Sequence, residues 1–253
     1  MTSLATAALS AACIYSGALL GIAMQRLLPQ HHLAKDSQEV VKLGAGMIAT
    51  LTALVLGLLV SSAKSSFDTA NSAIVQSAAK FVLLDRALAH AGPDAAAVRV
   101  QLKEGLREGI ERIWPSEAGN ASAVQALEQG TTIESVQERL RGITASNDTE
   151  RSWLSQAQQL SNDLAMQRWM VIEQSQAPLP HLFLVILVSW LTLLFITFGL
   201  YSPKNGTVFA ALAIGAISVS ASIFLVLELN KPLSGSIRVS DAPMRNALEH
   251  MGK

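Results

Sequence analysis

Leu51, Leu54, Leu58, Ser61 and Ser65 recur at intervals of three and four residues, with Lys64 beside the last of them. On an α-helix that spacing gathers side chains along one stripe. Leucines giving way to hydroxyls and a cation suit ion passage. Leu54 and Leu58 can form a hydrophobic gate, and Ser61, Lys64 and Ser65 a wider mouth that attracts anions. The plainer account of the same stripe is lipid contact plus packing against the first apolar segment. Roughly 120° around the helix, Ala49, Ala53 and Gly57 make a ridge of small residues, where another helix can approach closely. Gly215 and Ser218 belong to a second small face nearer the C-terminus.

The remaining ionisable groups suggest little chemistry. Glu228 closes the last apolar run next to Lys231, and a carboxylate at that depth pairs with a cation or faces an aqueous vestibule. The local Glu228–Lys231 pair is the simpler expectation. His31, His32, Asp36 and Glu39 are of metal-ligating types but follow no ligand spacing, so neither metal nor cofactor is expected. Cys13, the only cysteine, lies inside an apolar run and cannot form an intrachain disulfide. Phosphate-cradling glycine loops, HExxH, a nucleophile elbow and paired cysteines are all missing, so no catalytic residue is assigned and no enzyme is expected. No basic stripe interleaved with aromatics is present, which argues against nucleic acid. Asn120-Ala121-Ser122 is a glycosylation sequon by pattern only.

Four uncharged stretches must position these residues: Met1 to Gln25, Leu43 to Ala63, Pro178 to Pro203 and Asn205 to Leu227. A bilayer core needs roughly 20 apolar residues of helix. A polytopic membrane protein is therefore expected, with the first stretch an uncleaved anchor and the lipid bilayer as partner. Residues 64–180 hold 11 of the 19 basic and 14 of the 19 acidic side chains, the composition of a soluble domain. Within it Phe67, Ile74, Phe81 and Leu88 repeat every seven residues, with Ala70, Ser77 and Leu84 between them, as in an a/d seam. Asp85 then falls at a flanking position suited to an inter-helix salt bridge, while Asp68 and Arg86 face solvent.

Gly92-Pro93 ends that helix, and Asp94 is expected to cap another reaching about Trp114, closed by Pro115. Residues 116–132 read as a loop with at most a short helical insert. Helices follow from about Ile133 to Ile143 and from Asn147 or Asp148 to about Gln174. The latter carries an apolar face of Trp153, Ala157, Leu160, Leu164 and Val171. Asp241, as cap, and Pro243 start a helix in the tail.

The fold class expected is all-α: four transmembrane helices with a helical extramembrane domain between the second and third. The divisions are 1–63, 64–180, 181–229 and 230–253. Even span number puts both termini and the domain on one side. Basic residues near the spans number five on that side (Lys64, Lys80, Arg168, Lys231, Arg238) and four on the other (Arg26, Lys35, Lys42, Lys204), which leaves orientation open.

The string GLLVSSAKSSFDTANSAIVQSAAKFVLLDRALAH (Gly57 to His90) resembles a signature of the bestrophin-like family of bacterial membrane proteins. FGLYSPKN (Phe198 to Asn205) and LELNKPLSGSIRVSDAPMRNAL (Leu227 to Leu248) are similar to the same family, in the same order. Bestrophins are pentameric anion channels with cytoplasmic termini and a cytosolic helical domain. The resemblance thus implies a homo-oligomeric inner-membrane channel for chloride or another small anion, with the domain and both termini cytoplasmic. The chain departs from the bestrophin pattern in having no aromatic residue on the second span before Phe67, and no acidic cluster of the calcium-binding type. The competing expectation is a membrane-anchored structural or sensory subunit that transports nothing.

Overall fold

The computed structural model describes residues 2–29, 35–115, 123–130, 132–176 and 181–253. His31, His32, Pro178, Pro180 and the sequon at 120–122 lie outside them. The chain is all-α, and no strand forms among the described residues. Its helices are α1 (Ser3–Met24), α2 (Lys35–His90), α3 (Ala95–Ile113), α4 (Ala123–Glu128), α5 (Thr132–Gly142), α6 (Asp148–Gln176), α7 (His181–Leu200), α8 (Gly206–Leu229) and α9 (Ala242–His250). Four of these, α1, α2, α7 and α8, are long and apolar enough to cross a membrane.

The chain divides into two compact units: Met1–Ser65 with Pro178–Asn230, and Ser66–Ala177 with Lys231–Lys253. In the first, Ile14, Ala18, Leu187, Leu191, Phe195, Ala216 and Ile223 form the buried cluster. Lipid tails are as apolar as leucine, so helices in a bilayer associate through close packing and hydrogen bonds. Glycines supply that closeness. A Cβ on Gly17 would lie 2.8 Å from Thr192 Cγ2, and one on Gly21 would run into the backbone carbonyl of Ile196. A Cβ on Gly199 would likewise meet the carbonyl of Ala18. Gln25 finishes the contact between α1 and α7, its Nε2 donating to the carbonyls of Leu200 (2.7 Å) and Ser202 (2.8 Å). The side chain of Asn205 caps α8, accepting from Val208 N–H at 2.9 Å.

The second unit has a conventional water-excluding core. Leu84, Leu88, Leu102, Leu140 and Val136 are fully or almost fully buried, each stabilising the unit by about 1.5–3 kcal/mol. The heptad seam faces this core: Ala70, Ile74, Ser77, Leu84 and Leu88 are buried, and Phe67 and Phe81 pack at its edge. Gly92, at φ +100°, makes the turn out of α2 that a residue with a side chain would resist. Asn147 Oδ1 accepts from Glu150 N–H at 2.8 Å, and Glu150 in turn accepts from Ser146 N–H at 2.8 Å, fixing the start of α6.

Two expected caps do not form. Neither Asp94 nor Asp241 makes a side-chain cap bond. Asp241 is engaged by Arg245, one turn on, and that charge-assisted contact takes the carboxylate away from the backbone. The segment after α8, set apart in the sequence as a tail, is integral to the second unit. Leu233, Val239, Met244, Ala247 and Met251 are buried in its core, and Trp114 Nε1 donates to the Val239 carbonyl at 2.9 Å.

Candidate functional site

The membrane part of α2 has three distinct faces at about 100° per residue. One is buried in its own unit: Ala45, Thr52 and Ala63 are covered, and Val55, Leu56 and Leu59 pack against the apolar cluster. Thr52 spends its hydroxyl on the Ile48 carbonyl at 2.7 Å, which lets a polar residue sit on this face.

Turned roughly 150° from it is the leucine stripe. Leu51, Leu54 and Leu58 are 50%, 60% and 62% exposed. Ser61 and Ser65 extend the stripe and are also exposed. Lys64 is exposed but projects roughly 90° away from the stripe, toward the small-residue side.

The ridge lies between these two faces. Ala53 and Gly57 are exposed, Ala49 is half-covered, and a Cβ on Gly57 would meet nothing within 4 Å. Among the described residues, no helix of the same unit packs against Gly57 on this ridge. The other small face is split in use: a Cβ on Gly215 would make ordinary contact with Phe195, at 3.4 Å, whereas Ser218 is exposed. Ser218 donates its hydroxyl to the Ile214 carbonyl at 2.8 Å. Glu228 is buried at the end of α8, and Lys231 is exposed.

The tight helix contact is one that the small-residue reading of α2 and α8 missed. Its signal was present as Gly17-Ala-Leu-Leu-Gly21, a GxxxG spacing in the least hydrophobic span.

Asp85 is the other feature of chemical note. It is 0% exposed and bound in a fork by Arg99, Nε to Oδ1 at 2.7 Å and Nη2 to Oδ2 at 2.8 Å. The Gly252 N–H donates to Oδ2 at 3.0 Å. Gly252 sits at φ +88°, which suits only glycine, and Lys103 holds the adjoining Met251 carbonyl at 2.7 Å. Burial pushes the Asp85 carboxyl up, but the hydrogen bonds from Arg99 and Gly252 and the charges of Arg99 and Arg86 outweigh it. The net effect holds the group below its ordinary value. Hydrogen bonding to Asp85 raises the Arg99 pKa in return. This is a structural ion pair, which accounts for a perturbed carboxylate without assigning it catalysis.

Among the described residues, no three His, Cys, Asp or Glu side chains gather as a metal site. The α2 stripe presents exposed apolar side chains beside exposed hydroxyls and a cation.

A family model described as Bestrophin-like domain matches residues 12–244. No curated protein matches the chain. Among solved structures, the chain is similar to a crystal structure of a bacterial bestrophin homologue from Klebsiella pneumoniae carrying a point mutation. The TM-score is 0.62 at 15% identity, covering 97% of this chain and 98% of the other. At that identity the likeness establishes the fold.

Proposed function

The chain belongs to the bestrophin-like family, and on that premise we propose that it is a homo-oligomeric channel of the bacterial inner membrane passing chloride or a similar small anion. The observation that carries this reading is the exposed leucine stripe of α2. Leu51, Leu54 and Leu58 lie away from the face that packs in their own protomer. Copies arranged around an axis would bring the stripes together as a constriction, and hydrophobic constrictions gate by dewetting. Ser61 and Ser65 would widen it, and Lys64 would bias the entrance toward anions. The unfilled ridge of Ala49, Ala53 and Gly57 supplies a surface for the neighbouring copy. In this reading residues 64–180 and both termini are cytoplasmic.

Purified protein in chloride-loaded liposomes provides the test. Flux above that of empty liposomes, increased by Leu58→Ala, is the expected outcome. Absence of both anion and cation flux, with Leu58→Ala unchanged, would instead support a membrane-anchored subunit without transport.

A further inference from the structure

The second unit encloses a cavity of about 120 Å³ among α2, α3, α5 and α6, within a larger open recess. Its wall is apolar: Phe81, Leu106, Ile110, Trp114, Leu164 and Val171 contribute to it. An apolar cavity of about 150 Å³ stays dry and admits benzene, so this one suits an aryl or short alkyl group. Two glycines one turn apart on α3 line it: Gly105 admits the Thr132 side chain, which a Cβ there would strike, and Gly109 leaves the space open. A Cβ on Gly109 would meet nothing within 4 Å. Glycine inside a helix is unfavourable by about 1 kcal/mol relative to alanine, so this position gives up stability where a side chain would intrude.

The polar groups around the cavity are largely spent. Ser77 donates to Gln167 Oε1 at 3.0 Å, and Gln167 Nε2 donates to Gln76 at 3.2 Å. Trp114 N–H is committed to Val239. Arg168 differs. Its Nη1 and Nη2 fork onto Glu134 at 3.0 and 2.6 Å, and Nη1 also donates to the Gly130 carbonyl. Its Nε is buried and has no partner among the described residues. Of the buried, unpartnered side-chain atoms, it is the one whose residue lines this cavity. A buried donor without an acceptor is costly, and Glu134 already neutralises the guanidinium.

We propose that this cavity binds a small neutral molecule: an aryl or short alkyl group of benzene size bearing a hydrogen-bond acceptor such as a carbonyl, which accepts from Arg168 Nε. The site is separate from the α2 stripe and stands whether or not the protein conducts.

The probes are 4-fluoroacetophenone, its acceptor-free counterpart 1-ethyl-4-fluorobenzene, and charged 4-fluorobenzoate. Each is titrated by fluorine NMR against the full chain in lipid nanodiscs, with empty nanodiscs subtracted. The ketone is expected to bind saturably, about fivefold tighter than the hydrocarbon, as one added hydrogen bond allows, and tighter than the benzoate. Gly109→Leu is expected to lose both neutral probes while melting no lower than the parent, because a leucine fills the void and favours the helix. Arg168→Lys, which keeps the charge facing Glu134, is expected to retain the hydrocarbon and shrink the ketone's advantage. Three results would each overturn the proposal. They are no saturable binding of either neutral probe (as when a second copy or another protein fills the recess), undiminished binding to a folded Gly109→Leu, or a preference for benzoate.

Discussion

Replacing Asp85 by alanine removes a carboxylate that three donated hydrogen bonds hold at 0% exposure. Breaking a buried ion pair by deleting one partner costs about 3–5 kcal/mol, because the other charge is left uncompensated. The Arg99 side chain is 25% exposed and can recover some water, which moves the expectation to the low end, about 3 kcal/mol. For a unit of this size, Ser66–Ala177 with Lys231–Lys253, that corresponds to a fall in Tm of about 10 °C. The assay is thermal unfolding of the detergent-solubilised full chain, followed by tryptophan fluorescence, since Trp114 and Trp153 report on the same unit. Amide exchange at Met251–Lys253 should accelerate as well, because Gly252 loses its acceptor. The double variant Asp85→Leu with Arg99→Met should recover more than half of the loss, since no orphan charge remains. A shift under about 2 °C for Asp85→Ala, or a double variant as unstable as the single one, would refute this account of the pair.

Acid should act through the same carboxyl. Its folded value lies below its ordinary one, so its contribution is complete above the unfolded pKa of about 3.9 and fades as pH falls through the folded value. Acid titration of the melting temperature should therefore be shallower below about pH 4 for Asp85→Asn than for the parent; identical slopes would contradict this. Gly21→Ala should lower the yield of folded protein in size-exclusion chromatography, since its Cβ meets the Ile196 backbone rather than a side chain that can move. Gly57→Leu should leave the protomer folded but reduce the oligomer on native electrophoresis, and an unchanged assembly would remove the ridge from the interface. Lys64→Glu should move the reversal potential in a chloride gradient toward lower anion preference, which bilayer recording reads directly.

The large-scale architecture was legible because both of its signals are repetitive. Uncharged runs of about 20 residues mark the spans, and the seven-residue recurrence from Phe67 to Leu88 marks the seam that is buried. Asp85 was readable as an inter-helix ion-pair partner from its place beside that seam, although its third donor, Gly252, was not. No local pattern announces a contact spanning 167 positions. The same limit hid the role of the tail, whose buried residues are too few and too irregularly spaced to declare a core face. Capping was misread at Asp241 because an acidic residue before a helix can satisfy a neighbouring arginine instead, as it does with Arg245; nothing in the structure explains the missing cap at Asp94. Small residues mislead differently. Gly57 and Gly21 look alike in sequence, yet one faces open space and the other a neighbouring backbone. Exposure within one protomer separates them, and composition does not.

The conduction account rests on water and anions reaching the leucine stripe. In a Cys13→Ala background, Leu58→Cys can be challenged with a membrane-impermeant, negatively charged thiol reagent during planar-bilayer recording. Leu56→Cys, on the face packed within the protomer, serves as the control. The account predicts that the reagent cuts the chloride current of Leu58→Cys and leaves that of Leu56→Cys unchanged. An unmodified Leu58→Cys current, or no chloride current from any variant, would contradict it.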